Sequence, residues 1–270
     1  MFLRFSLPVH RGRTLFSSRT GTTLPACLLA LFSALMTLAA HADAAESASR
    51  TGKVTGGIAV GATRVIYNEA DNGATVRVIN TSSIPFLIQT WVESYKGYGA
   101  EKTAELPKGT FITTPPLYRQ DTGENSVRIV RASGDFPRDR ESVFWLNIKS
   151  IASSEKPSPD TNYVQFAFNT RIKLFYRPTG LAGKPSEAYS ALIFSRAGNT
   201  LTATNPTVYN VTINSLKVGG VTVEDADTRM VPPKGTQSWT LPEKAHGNSV
   251  TYVSLNDFGG LTAPLTVTAR

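Results

Sequence analysis

Residues 163–178 read YVQFAFNTRIKLFYRP. Val164, Phe166, Phe168, Ile172 and Leu174 share one parity, whereas Gln165, Asn169, Arg171 and Lys173 share the other. Successive side chains of a strand point to opposite faces, so the spacing predicts one long strand with an apolar face. Pattern alone assigns such a face to a sheet core. Lys173 and Arg177 lie on the other parity, just before Pro178, and a core strand gives them no work.

Around this strand the composition bounds the answer. The chain has 270 residues, 41% of them hydrophobic and 18% charged, with 21 Gly and 16 Pro, which suits two ordinary domains. Residues 1–42 stand apart from them. Arg4, Arg11, Arg13 and Arg19 form a basic leader without an acidic residue, ACLLALFSALMTLAA follows at 26–40, and Ala40-His41-Ala42 supplies a small-x-small cleavage pattern. This is the pattern of a secretory signal peptide. The apolar run is short for a membrane span and no second one follows, so no membrane insertion is expected after cleavage. Cys27 stands at the head of the apolar run rather than after it, which argues against lipidation.

Removing the leader takes four of the 28 Lys and Arg residues and none of the 20 Asp and Glu, leaving a net charge of +4 from 24 bases and 20 acids. Half of the formal +8 therefore belongs to the leader, and no basic run remains to suggest nucleic-acid binding. His10, His41 and Cys27 also leave, so the remainder keeps no cysteine and only His246. A Cys nucleophile, a His–Cys zinc site, a redox pair and a disulfide framework are thereby excluded. No GxSxG elbow, GxGxxG loop or P-loop is present either. A secreted hydrolase is remote, and the chain is read as a non-enzyme that needs no metal or cofactor.

Taken in order, residues 43–56 (DAAESASRTGKVTG) are small and polar and are expected to be a flexible lead-in. Strand-like runs follow at 58–67, 74–80, 85–93, 111–119, 126–131 and 141–148, separated by Gly, Pro, Asn and Asp. No stretch sustains helical periodicity. The polar ASSEKPSPDT segment at 152–161 leads into the long strand, and PTGLAGKP at 178–185 follows it as a linker. Further Thr-, Val- and Ile-rich runs occupy 190–268. The expectation is an all-β chain with an immunoglobulin-like sandwich at 57–177, a linker at 178–185 and a second at 186–270. Trp91 and Trp145 are expected between the sheets.

The 163–178 strand, with 87–91 (LIQTW), 111–116 (FITTPP), 140–144 (RESVF), 205–207 (NPT) and 256–260 (NDFGG), resembles the PapD-like periplasmic pilus chaperones in order and approximate spacing. The resemblance covers nearly all of 57–260. It implies two immunoglobulin-like domains set at an angle with a cleft between them, and a periplasmic location. It further implies that pilus subunits are captured by donation of a strand and delivered to an outer-membrane usher. By that resemblance Arg64 and Lys173 bind the subunit's terminal carboxylate, which suits a bidentate guanidinium beside a compact ammonium. Val164, Phe166 and Phe168 are then the donated hydrophobic residues, and Glu141, Arg177 and Asp257 an ion network linking the domains. The short loop before the donor strand is similar to the subfamily serving rod-like pili. An exposed apolar edge also invites pairing with a second copy. The alternative class is a secreted β-sandwich adhesin or fibre subunit, which would end up polymerised outside the cell.

Overall fold

The computed structural model describes residues 56–96, 105–154, 164–224 and 230–270; the leader, most of the expected lead-in and Tyr163 lie outside the described residues. The first half contains β1 (Ile58–Val60), β2 (Arg64–Asn68), β3 (Ala74–Asn80), β4 (Phe86–Ser94), β5 (Phe111–Thr114), β6 (Leu117–Gln120), β7 (Gly123–Arg131), β8 (Ser142–Ala152) and β9 (Ala167–Arg177). One sheet has the order β1-β3-β7-β5 and the other β2-β9-β8-β4-β6. Their inward residues alternate, with Val76, Val78, Val127 and Ile129 facing Ile88, Leu146, Ile148 and Leu174 across a common core.

Two single runs in the sequence are each broken in two. The stretch at 58–67 changes sheets at Gly61, whose N–H donates to Arg77 O at 2.9 Å. β1 pairs antiparallel with β3, and β2 pairs parallel with β9. The stretch at 111–119 divides at Pro115 and Pro116, which have no N–H to give a ladder; their carbonyls accept instead from Thr90 Oγ1 at 3.1 Å and Thr90 N at 2.8 Å.

A 3-10 helix, Pro185–Ala191, with proline in its first turn, opens the second half. There follow β10 (Ile193–Ala197), β11 (Thr200–Asn205), β12 (Val211–Val218), β13 (Val221–Thr222), β14 (Met230–Val231), β15 (Gly235–Thr240), β16 (Ser249–Leu255) and β17 (Leu265–Thr268). The sheets β10-β11-β15 and β13-β12-β16-β17, with β14 on β12, enclose a core built on Phe194, Leu201, Ile213, Leu216, Trp239 and Tyr252.

The long strand differs from its sequence pattern in two respects. It begins at Ala167, so Val164 and Phe166 precede it as irregular chain and only Phe168 lies within it. Its apolar face is also not uniformly buried. Phe168 is 67% exposed, whereas Ile172 is 7% and Leu174 0% exposed on the same parity. The core ends near Ile172, and the face continues into solvent. Trp91 and Trp145 are likewise not core residues. Trp91 stands opposite Asn147, and Trp145 opposite Lys173, which puts both on the outer face of the sheet, half-buried.

This split predicts opposite outcomes for two truncations on one strand face. Leu174→Ala should lower the unfolding free energy by about 2–5 kcal/mol in urea titrations, as a core cavity does. Phe168→Ala should change it by no more than about 0.5 kcal/mol, as an exposed substitution does. Equal losses would contradict the placement of Phe168 outside the core.

Candidate functional site

The site grows from how β2 covers β9. β2 pairs with Lys173–Arg177 only, starting with Arg64 against Lys173. From Ala167 to Ile172 the strand is hydrogen-bonded to β8 on one side, and no described strand lies on the other. The open edge therefore stops where two cations meet. Just ahead of it, Val164 and Phe166 are 74% and 69% exposed, in line with exposed Phe168. Three large apolar side chains in water beside an unpaired strand edge form a surface suited to pairing rather than to solvent.

Arg64 and Lys173 are register partners in a parallel pair, so their side chains share one face about 5 Å apart in the hydrogen-bonding direction. Aromatic rings bed both: the Arg64 guanidinium lies 5.8 Å from the Phe175 ring centre and the Lys173 ammonium 5.8 Å from that of Tyr95. Burial, then repulsion by Arg64, brings the Lys173 ammonium down to about 8. Burial also lowers the Arg64 guanidinium, against attraction from Asp257 and Glu141. Arg64 donates to Leu255 O at 3.5 Å, and its buried Nε has no hydrogen-bond partner among the described residues. Lys173 makes no ion pair or hydrogen bond among the described residues. Two adjacent, partly desolvated cations without a carboxylate between them have the chemistry that an anion would satisfy.

Glu141, Arg177 and Asp257 come together next to it. Arg177 Nε donates to Glu141 Oε1 at 2.7 Å, and its two terminal nitrogens grip both oxygens of Asp257 at 2.9 and 3.1 Å. The other Glu141 oxygen accepts from the backbone and side-chain nitrogens of Asn210 at 2.8 and 3.1 Å. Burial would lower the Arg177 guanidinium, but the Asp257 hydrogen bonds and the charge of Glu141 prevail and raise it. Burial pushes the Glu141 carboxyl up, while Arg177 and Asn210 pull it back toward the ionised form. The bonds run between the first half, at Glu141 and Arg177, and the second, at Asn210 and Asp257. Asp139 and Lys234 add another such link at 2.7 Å, which is more exposed.

Several neighbours carry no signal in the sequence. Tyr95, Phe175, Asn210 and Tyr209 reach the cations or the network from distant positions, and only the fold assembles them. The NDFGG motif was visible, yet nothing in its letters indicated that Phe258 stands 95% exposed.

Comparison with known proteins decides what this arrangement belongs to. Residues 57–182 match the domain described as "Pili and flagellar-assembly chaperone, PapD N-terminal domain", and residues 187–265 match "Pili assembly chaperone PapD, C-terminal domain". The chain belongs to the PapD family of pilus-assembly chaperones. Within it, the chain is 42% identical over 209 residues to the chaperone protein FocC of Escherichia coli, covering 76% of this chain and 87% of that one. It is 40% identical over 218 residues to the chaperone protein FimC of Escherichia coli strain K12, covering 80% and 86%. Among solved structures, the E. coli chaperone DraB superposes with a TM-score of 0.67 at 33% identity, covering 80% of this chain and 97% of DraB. The Salmonella enterica SafB chaperone, solved in complex with the SafA pilin, gives 0.67 at 31% identity over 78% and 95%. A periplasmic chaperone, SfaE, gives 0.65 at 36% over 79% and 100%. The chain is thus a fimbrial chaperone with two β-sandwich domains, not the fibre subunit that the sequence left as an alternative.

For this PapD-family chain, Arg177→Ala should leave the Glu141 carboxylate, 2% exposed, without its counter-charge. The expected cost is about 3 kcal/mol or more in the urea-unfolding free energy, because removing one partner of a buried pair strands the other. An unchanged midpoint would show that water or Asn210 alone satisfies Glu141.

Proposed function

We propose that this chain holds pilus subunits in the periplasm by pairing its open β9 edge with a subunit segment, and that Arg64 and Lys173 bind the segment's C-terminal carboxylate. The observation that carries this reading is the coincidence of two boundaries: the free edge ends where the cation pair begins. A guest laid along Ala167–Ile172 lies in line with β2 and meets Arg64 at its end. Run parallel to β9, as β2 does, the guest presents its α-carboxylate there. Run antiparallel, it would present its α-ammonium to two cations. Electrostatics thus selects the direction. The carboxylate also fixes register, and a slip of one residue would turn the guest's apolar side chains away from the Phe168 face.

Magnitudes show why both parts are needed. Burying Val164, Phe166 and Phe168 would contribute about 1.5–3 kcal/mol each. Lost rotational and translational freedom costs about 4–15 kcal/mol on association, so the three side chains roughly offset it. Backbone ladder bonds and the anchored carboxylate would then supply the net affinity. Strand addition of this kind is an established recognition mode, found in other chaperone–pilin complexes. The SafB chaperone, a relative of similar fold, is known in complex with a pilin. Delivery to an outer-membrane usher follows from the same reading, and a second copy would compete for the same edge in the guest's absence. Glu141, Arg177 and Asp257 serve this function by fixing the two domains around the cleft. Release needs no nucleotide or metal, only a competing strand.

Arg64→Ala or Lys173→Ala should abolish co-purification of pilus subunits from periplasmic extracts while leaving the melting curve in place. The pH profile supplies a second readout. A bound carboxylate holds the proton on Lys173 more firmly than the free chaperone does, so affinity should be level below pH 8. Above about pH 8, where free Lys173 loses its proton, affinity should fall by up to about tenfold per unit. Stability of the free chaperone should move the other way between about 8 and 10.5, since the unfolded chain then binds more protons. Wild-type retention by either alanine variant, or affinity independent of pH up to 10, would refute the carboxylate anchor.

A further inference from the structure

Beside the cation pair, between the two sandwiches, lies a cavity of ≈ 180 Å³. Arg64 and Asn210 with the paired charges of Arg177, Glu141 and Asp257 form its polar side, and Phe175, Tyr189, Tyr209, Leu255 and Phe258 supply apolar wall. Phe258 is the unusual member, because its ring is 95% exposed although its loop is firmly built. Asn256 Oδ1 accepts from the N–H groups of Phe258 at 3.0 Å and Gly260 at 2.9 Å, and Asn256 N donates to Gly260 O at 2.8 Å. Arg177 holds the neighbouring Asp257 through both carboxylate oxygens. Gly259 lies so close to Thr63 that an added Cβ would come within 2.1 Å of its hydroxyl, and its φ of +82° also favours glycine. A ring held in water by such a loop is preorganised for contact, since little freedom remains to be lost when something covers it.

The direction of a bound strand says what covers it. From Lys173 onward the edge of β9 is occupied by β2, so a guest whose carboxylate sits at Arg64 cannot run further along the sheet. Its last residue must turn out of the sheet beside Arg64, which also lines the cavity. The charge of Arg64 suits the carboxylate, and the aromatic walls suit a side chain attached one bond away. We infer that this cavity receives the side chain of the subunit's C-terminal residue, with Phe258 as its outer wall. The chaperone then prefers subunits ending in a large apolar or aromatic residue to those ending in a small or acidic one. The inference rests on the carboxylate anchor proposed above, and its test separates the two.

Synthetic strand peptides of alternating valine and threonine serve as probes, ending in Phe, Ser or Asp as free acids, with the Phe version also made as a C-terminal amide. Their affinities for the purified chaperone are measured by calorimetry. The Phe acid should bind at least about tenfold more tightly than the Ser acid, the scale on which an apolar pocket discriminates. Phe258→Ser, an exposed change that should leave the melting temperature in place, should erase most of that ratio while barely altering the Ser acid. Arg64→Ala should instead weaken all free acids together and remove their advantage over the amide. Equal binding of all acids by wild type, an undiminished ratio in Phe258→Ser, or no binding of any peptide would overturn the pocket. Loss of acid binding in Arg64→Ala alongside equal affinities would leave the anchor standing without it; unchanged acid binding in Arg64→Ala would end both.

Discussion

Everything functional in this chain depends on β2 pairing with only part of β9. Five residues of β2 cover Lys173–Arg177, and the remainder of the strand has a partner on one side alone. That short parallel pairing places Arg64 against Lys173 and ends the free edge at two cations. Had β2 run farther, the edge would be closed. Had it been shorter, Arg64 would not stand beside Lys173. An open apolar edge is ordinarily a hazard for a β protein, and here its length is limited by the same strand that carries Arg64.

Rigidity around the cation pair comes from charge. Arg177 sits at the end of β9 and reaches Glu141 in its own domain and Asp257 in the other, so the strand that offers the edge is tied to the loop that carries Phe258. Glu69 adds a lesser fastening. It accepts from Thr179 N at 3.0 Å and from the Tyr176 hydroxyl at 2.9 Å, which holds its carboxyl down to about 2 and secures the chain as it leaves β9. Buried ion pairs contribute little net stability relative to well-packed apolar residues, so their value here lies in geometry. Lys173 and Arg64 show the converse: among the described residues neither makes an ion pair, and burial lowers both even though Asp257 and Glu141 attract Arg64.

Much of this was legible in the letters and part was not. Period-2 alternation with Gly, Pro and Asn punctuation is a local signal, and it identified β-structure throughout both halves, including the strand that contains Phe168 and Leu174. Parity assigned Lys173 to the face opposite Leu174, as found. Parity cannot say where a core ends along a strand, however, because burial depends on what the facing sheet supplies. Val164 and Phe166 therefore looked like strand residues but precede it, and Trp91 and Trp145 looked like core but lie on the outer face. The breaks at Gly61 and at Pro115-Pro116 divided apparent single strands between partners that only tertiary pairing defines. Arg64 and Lys173 are 109 positions apart, and Arg177 and Asp257 are 80, so spacing alone could not join them; resemblance to the family suggested the pairs, and the fold supplies the distances.

The most direct test of the account is amide hydrogen exchange across β9, compared between the free chaperone and a chaperone–subunit complex. Strand addition predicts that the amides of Ala167–Ile172 not bonded to β8 exchange freely alone and become strongly protected in the complex, while Leu174–Arg177, already covered by β2, change little. Unaltered exchange over Ala167–Ile172 in a saturated complex would contradict it, because a subunit held elsewhere leaves that edge open.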